Sequence, residues 1–159
     1  MILVLLGTQN NSFKRLLEEV QKNIDNGDIK EEVIVQSGYT KFESKDMKFY
    51  KELPPERYNE LIEQANIIIT HGGVGSIISS ITKEKKVIAV PRLKKYKEHV
   101  NDHQLDIIDS FNEMEYIIGL HDVDELEEAL NRIKTFVPKK YVQNTGNIVS
   151  IVEKFIDEN

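Results

Sequence analysis

The chain has no cysteine in 159 residues, which removes disulfides, thiolate metal sites and a cysteine nucleophile together. Positive charge is in deficit: 21 Lys and Arg stand against 27 Asp and Glu, a formal charge of −6. A surface that binds nucleic acid as a whole needs a cationic footprint and is not expected here. The apolar run that opens the chain, Ile2 to Leu6, is far short of the roughly 18 residues that cross a bilayer. It has neither a basic segment before it nor a cleavage site after it, so it does not read as a secretion signal. A cytoplasmic chain is expected. Repeats, low-complexity stretches and linkers are also lacking, and the length suits one domain over residues 1–159 rather than two.

What is present is an alternation of short apolar runs and helical stripes. Ile2–Leu6, Val33–Val35, Ile67–Thr70 and Val87–Val90 are uniformly apolar, the pattern of strands buried on both faces. Tyr116–Ile118 reads as a further strand and Met47–Tyr50 as a short one. Between them lie amphipathic segments: Phe13 to Ile24, a helix opened by Pro54-Pro55, and the stripe Val74, Ile77, Ile78, Ile81. A helix over about His99–Asn112 is expected to turn Leu105, Ile108 and Phe111 inward. Asp122 with Glu125 forms a capping box ahead of Leu126, Ala129, Leu130 and Ile133, and a last helix is expected over about Asn147–Ile156. Such alternation predicts an α/β fold, a Rossmann-like parallel sheet with helices on both faces.

In such a sheet, ligands bind beyond the carboxyl ends of the strands. Two glycine-bearing turns fall there, Leu6-Gly7-Thr8-Gln9-Asn10 and Thr70-His71-Gly72-Gly73-Val74-Gly75-Ser76. Glycines let backbone approach an anion, and the helix that follows presents N–H groups carrying partial positive charge. The second turn therefore predicts a phosphate or diphosphate site. Neither G-x-G-x-x-G nor a Walker sequence is present, so a dinucleotide oxidoreductase or P-loop reading has little support. No Gly-x-Ser-x-Gly elbow supports a serine hydrolase. His99 and His103 are spaced to share a helix face as metal ligands do, but only Asp102 or Glu98 could complete a set. Hydrogen bonds to sugar hydroxyls are the preferred reading of that segment, and no metal or other cofactor is expected. Between residues 83 and 97, Lys83, Lys85, Lys86, Arg92, Lys94, Lys95 and Lys97 face a single Glu84. That stretch is either a solvated face or a contact for anionic headgroups or an acceptor diphosphate.

Taken in order, Val4-Leu5-Leu6-Gly7-Thr8 with Phe13, Gln36-Ser37-Gly38, Ile69 to Ser76, Val90-Pro91-Arg92 and Glu98 to Gln104 resemble a known family. It is the C-terminal, nucleotide-sugar-binding half of family 28 glycosyltransferases, and more closely its small stand-alone versions from bacterial capsule and exopolysaccharide synthesis, which are similar to eukaryotic Alg13. The resemblance implies a GT-B glycosyltransferase split over two polypeptides. This chain would be the catalytic, UDP-sugar-binding subunit. An Alg14-like, membrane-anchored subunit would supply the acceptor half and hold the chain peripherally at the inner face of the membrane. The implied reaction is an inverting transfer to a polyprenyl-diphosphate-linked saccharide, with a galactosyl donor slightly favoured and the general base expected on the partner. Carried onto this sequence, the resemblance puts Gly7 and Thr8 beside the diphosphate. It puts His71, Gly72, Gly73, Gly75 and Ser76 around the UDP phosphates, and Gly38 and Tyr39 near uracil and ribose. His103 and Gln104 would meet the donor sugar, with His99 and Asp102 nearby. Ser79 stands where many relatives carry a ribose-binding glutamate, and Glu84-Lys85-Lys86 where Gly-Lys-Pro is usual. A non-catalytic enhancer subunit, or a UDP-sugar epimerase or hydrolase-like protein, are the alternatives.

Overall fold

A computed structural model describes residues 1–142 of the chain. The helix expected over Asn147–Ile156 lies outside those residues. Six strands form one sheet: β1 (Ile2–Leu5), β2 (Val33–Gln36), β3 (Met47–Tyr50), β4 (Ile67–His71), β5 (Lys86–Val90) and β6 (Ile118–Gly119). Their order is β3-β2-β1-β4-β5-β6, and every pairing is parallel. Five helices cover it: α1 (Lys14–Asp25), α2 (Pro55–Gln64), α3 (Val74–Thr82), α4 (His103–Glu113) and α5 (Leu126–Arg132). This is the Rossmann-like α/β fold the alternation implied.

The two-residue period of a strand sorts the core into two halves. Ile2 and Val4 of β1 pack with Val33, Val35, Ile88 and the inner faces of α1 and α5. Leu3 and Leu5 point the other way, to Ile34, Ile68, Val87 and the inner faces of α2, α3 and α4. Each fully buried aliphatic side chain contributes at most roughly 1.5–3 kcal/mol, so no single contact fixes the sheet. Helix starts follow local chemistry. Pro54 and Pro55 open α2, where a missing N–H costs nothing. The expected box at Asp122 and Glu125 forms, closing a 3-10 turn that leads into α5. The Phe13 N–H at the start of α1 donates to Thr40 Oγ1 at 2.9 Å, a cap borrowed from the loop after β2.

Two expectations are corrected. The helix placed from His99 starts at His103, because the segment before it is tied into turns. Glu98 carboxylate accepts the Leu93 N–H, Asp102 Oδ1 accepts the Lys94 N–H, and Asn101 Oδ1 accepts the His103 N–H. With that start, Gln104, Ile107, Ile108 and Phe111 face inward and Leu105 is only half-buried. His99 and His103 accordingly do not share a helix face. The basic stretch is not one patch either. Lys83 pairs with Glu63, while the Lys85 and Lys86 ammonium groups donate to backbone carbonyls. All three lie at the amino end of β5, away from the ligand edge. Arg92 is buried, leaving only Lys94, Lys95 and Lys97 exposed near that edge.

Candidate functional site

Strand order reverses between β1 and β4, the place where an open α/β sheet leaves a crevice at its carboxyl edge. A cavity of about 500 Å3 occupies it. Gly7 and Thr8 line it from the turn after β1, His71 from the end of β4, and Gly75, Ser76 and Ser79 from α3. Gln36, Glu52, Leu53 and Tyr58 complete the wall.

The turn after β1 is held by its neighbours. Gly7 takes φ +78°, and Gly38 takes φ +56° with its Cα against the Gly7 carbonyl, where a Cβ would come to 2.6 Å. The Gln36 amide then grips Gly7 from both sides: Oε1 accepts the Gly7 N–H at 3.1 Å and Nε2 donates to the Gly7 carbonyl at 3.0 Å. Farther along, Arg92, 1% exposed, donates to the carbonyls of Leu6, Asn11 and Glu98. Gln9 Nε2 lies 2.9 Å from His99 Nε2. Arg92 thus ties the loop bearing Gly7 and Thr8 to the loop after β5. Glu98, itself buried, is gripped by Arg15 through two nitrogens, and Arg15 also reaches Asp122. Burial pushes the Arg92 guanidinium down to about 10, opposed by Glu98, so it stays charged at neutral pH.

The turn after β4 packs as closely. A Cβ on Gly72 would meet Gln104 Cβ at 2.7 Å and the Gln104 carbonyl at 2.9 Å. Gly73 is the N-cap of α3 in an extended conformation with no side-chain cap, and the first turn of α3 carries no acidic residue. A helix start of that kind presents backbone N–H groups and the positive end of the helix dipole. His71 is buried, and burial first, then the charge of Arg92, holds its imidazole down to about 3. It is therefore neutral in the folded protein at physiological pH. Among the described residues no lysine or arginine lines the cavity, and Glu52 is the one acidic side chain in its wall. Dipoles and N–H groups would have to do the work of binding an anion there.

The residues singled out from sequence divide. Gly7, Thr8, His71, Gly75, Ser76 and Ser79 meet at the cavity, and Ser79 Oγ donates to the Gly75 carbonyl one turn back. Gly72, Gly73 and Gly38 shape the two turns without lining it. Tyr39 is half-exposed, with Lys51 Nζ 4.8 Å from its ring centre. His99, Asp102, His103 and Gln104 are outside the wall: Gln104 is fully buried beneath it and His103 is exposed. Gln36, Glu52, Leu53 and Tyr58 were missed. The signal available for them was position alone: Gln36 ends β2, Glu52 and Leu53 follow β3, and Tyr58 lies in α2 just beyond. Among the described residues, no three His, Asp or Glu side chains are grouped to hold a metal ion. The single Asp-x-Asp spacing, Asp122-Val123-Asp124, is no exception, because Asp122 caps a helix turn and pairs with Arg15. No described helix is long and apolar enough to cross a membrane.

Comparison with known proteins converges on one group. The profile described as Glycosyltransferase family 28 C-terminal domain matches residues 1–158. The UDP-N-acetylglucosamine transferase subunit ALG13 of Candida albicans is 28% identical over 121 residues, covering 76% of this chain and 37% of that protein. The structure of CalG4, the calicheamicin glycosyltransferase, superposes with a TM-score of 0.60 at 12% identity, covering 98% of this chain and 38% of that one. Acinetobacter baumannii MurG gives a TM-score of 0.54 at 18% identity, with 83% and 40% covered. At such identities the two structures are alike in fold. The chain spans about two fifths of the length of these relatives.

Proposed function

Since the chain belongs to the glycosyltransferase family 28 C-terminal domain family, we propose that its cavity binds the diphosphate of a UDP-sugar and that the chain is the donor-binding, catalytic subunit of a two-component inverting glycosyltransferase. The observation that carries this reading is the start of α3, capped by a glycine and free of acidic residues, facing the Gly7-Thr8 turn across the cavity at the strand-order reversal. As the acceptor oxygen bonds to the anomeric carbon, the bond to the diphosphate breaks and UDP leaves with the electron pair. Negative charge grows on the diphosphate, where the N–H groups and dipole of α3 and the Thr8 and Ser76 hydroxyls stabilise it. Glu52 and Tyr58 offer acceptor and donor groups to the hydroxyl-bearing end of the nucleotide, the end where a carboxylate does not oppose the phosphates.

The acceptor half, and with it the base that takes the acceptor proton, belongs to a separate subunit, an Alg14-like membrane-anchored protein. That subunit would bring the chain to the inner face of the membrane and to a polyprenyl-diphosphate saccharide of capsule or exopolysaccharide synthesis. The support is the likeness to a Candida albicans protein that is named as a subunit of its transferase. A galactosyl donor is the first to test, beside the N-acetylglucosamine named for the Candida relative. Co-expression with the partner, followed by a screen of UDP-galactose, UDP-glucuronic acid and UDP-N-acetylglucosamine against lipid acceptor, should give transfer with one donor. UDP binding without transfer from any donor would point to the enhancer role instead.

A further inference from the structure

Gln104 lies in the first turn of α4 and is 0% exposed. Its Oε1 accepts the Gly72 N–H at 3.0 Å and the Arg92 N–H at 3.0 Å. Two backbone donors meeting on one atom require that atom to be the carbonyl oxygen, so the amide orientation is fixed and Nε2 carries the hydrogens. Nε2 lies 3.1 Å from His71 Nδ1. Since Nε2 can only donate, His71 Nδ1 must be the bare acceptor. The imidazole is neutral because burial and the Arg92 charge oppose its protonation. A neutral imidazole bare at Nδ1 carries its hydrogen on Nε2. Nε2 is the ring atom packed against Gly7, where a Cβ would approach to 2.5 Å, and the ring lines the cavity.

We propose that Gln104 is a positioning residue that fixes His71 as the Nε2–H tautomer, so that the cavity receives an uncharged hydrogen-bond donor, and that Gln104 does not touch the donor sugar. The same amide locks the Gly72 turn to the end of β5 through Arg92 N–H, so one side chain sets both the shape of the turn and the polarity of the ring beside it. A bare Nε2 in that place would turn a lone pair toward an incoming phosphate oxygen, whereas N–H attracts it. His71 then contributes to anion binding with no proton taken up. This inference rests on the reading of the cavity as a diphosphate site, but its first test does not.

Two-bond 1H–15N correlation spectra of the ligand-free wild-type chain, assigned against His71→Phe, should show His71 as the Nε2–H tautomer at pH 7 and unchanged at pH 5. An Nδ1–H tautomer, or an imidazolium at pH 7, overturns the proposal. Gln104→Met then removes both amide groups at nearly constant volume. The His71 signals should leave the Nε2–H pattern, and affinities for UDP and for the best-binding UDP-hexose should fall together, each roughly tenfold. A loss confined to the UDP-hexose would mean that Gln104 meets the sugar, and unchanged affinities would mean that it positions nothing; either result refutes the positioning role. If Gln104→Met does not fold, the wild-type spectrum decides. Failure of wild type to bind UDP would overturn the cavity reading, and the tautomer would still report on Gln104.

Discussion

Gly7 and His71 share a contact that admits no side-chain atom between them. A methyl group at position 7 would lie 2.5 Å from His71 Nε2 while the backbone keeps φ +78°. Gly7→Ala is expected to destabilise the fold by about 1–3 kcal/mol and to abolish the UDP-induced rise in melting temperature. The His71 ring also links stability to pH. Its folded pKa, about 3, lies below the unfolded value near 6.5, so the stability tied to its neutral form is complete above pH 6.5 and is lost as pH falls toward 3. Between pH 7 and pH 5 this group alone should remove about 2 kcal/mol. Urea unfolding of His71→Gln at the two pH values should show a loss smaller by that amount. Glycine turns and their histidine were legible in the sequence because backbone requirements leave a residue-type signature. The buried hydrogen-bonding roles of Gln104 and Arg92 were not. A glutamine at a helix start and an arginine among lysines both resemble surface residues. Only the meeting of backbone donors and carbonyls from distant segments, which spacing does not encode, makes them buried keystones.

Helix α3 owes its place in the site to what its first turn lacks. An aspartate at the N-cap would complement the dipole and accept a helix-opening N–H, a stabilising change in an ordinary helix by about 0.5–1 kcal/mol. Position 73 has ordinary extended backbone, φ −74° and ψ 130°, so Gly73→Asp imposes no backbone strain. Its melting temperature should equal or exceed that of wild type while the UDP shift is lost completely. Lost stability with an intact UDP shift would contradict a phosphate site at this helix start. Element existence was readable from apolar periodicity, down to the four residues of β3. The start of α4 was not, because residues 98–102 carry helix-compatible side chains whose polar groups are taken by the loop after β5 instead. The lysine-rich stretch failed for a related reason: a one-dimensional run straddles β5, so its two ends emerge at opposite edges of the sheet.

Across the molecule, one face of the sheet is covered by α1 and α5 and the other by α2, α3 and α4, leaving the carboxyl edge to the loops that make the cavity. Arg92 braces that edge through three backbone carbonyls, and beside it Arg15 pairs with Glu98 and Asp122. Removing the Arg92 guanidinium leaves buried carbonyls without their donor, at about 1–3 kcal/mol for each one that stays unsatisfied. Arg92→Met should therefore lose roughly that much stability in urea unfolding, where an exposed arginine would lose almost none. The braced edge frames the cavity, and the solved structures that share the fold are more than twice this length. What the whole chain does hence depends on what occupies the cavity. The crystal structure of the chain with UDP should place the diphosphate between the Gly7-Thr8 turn and the first turn of α3, within hydrogen-bond distance of His71 Nε2. UDP bound elsewhere, with that cavity vacant, would contradict the account.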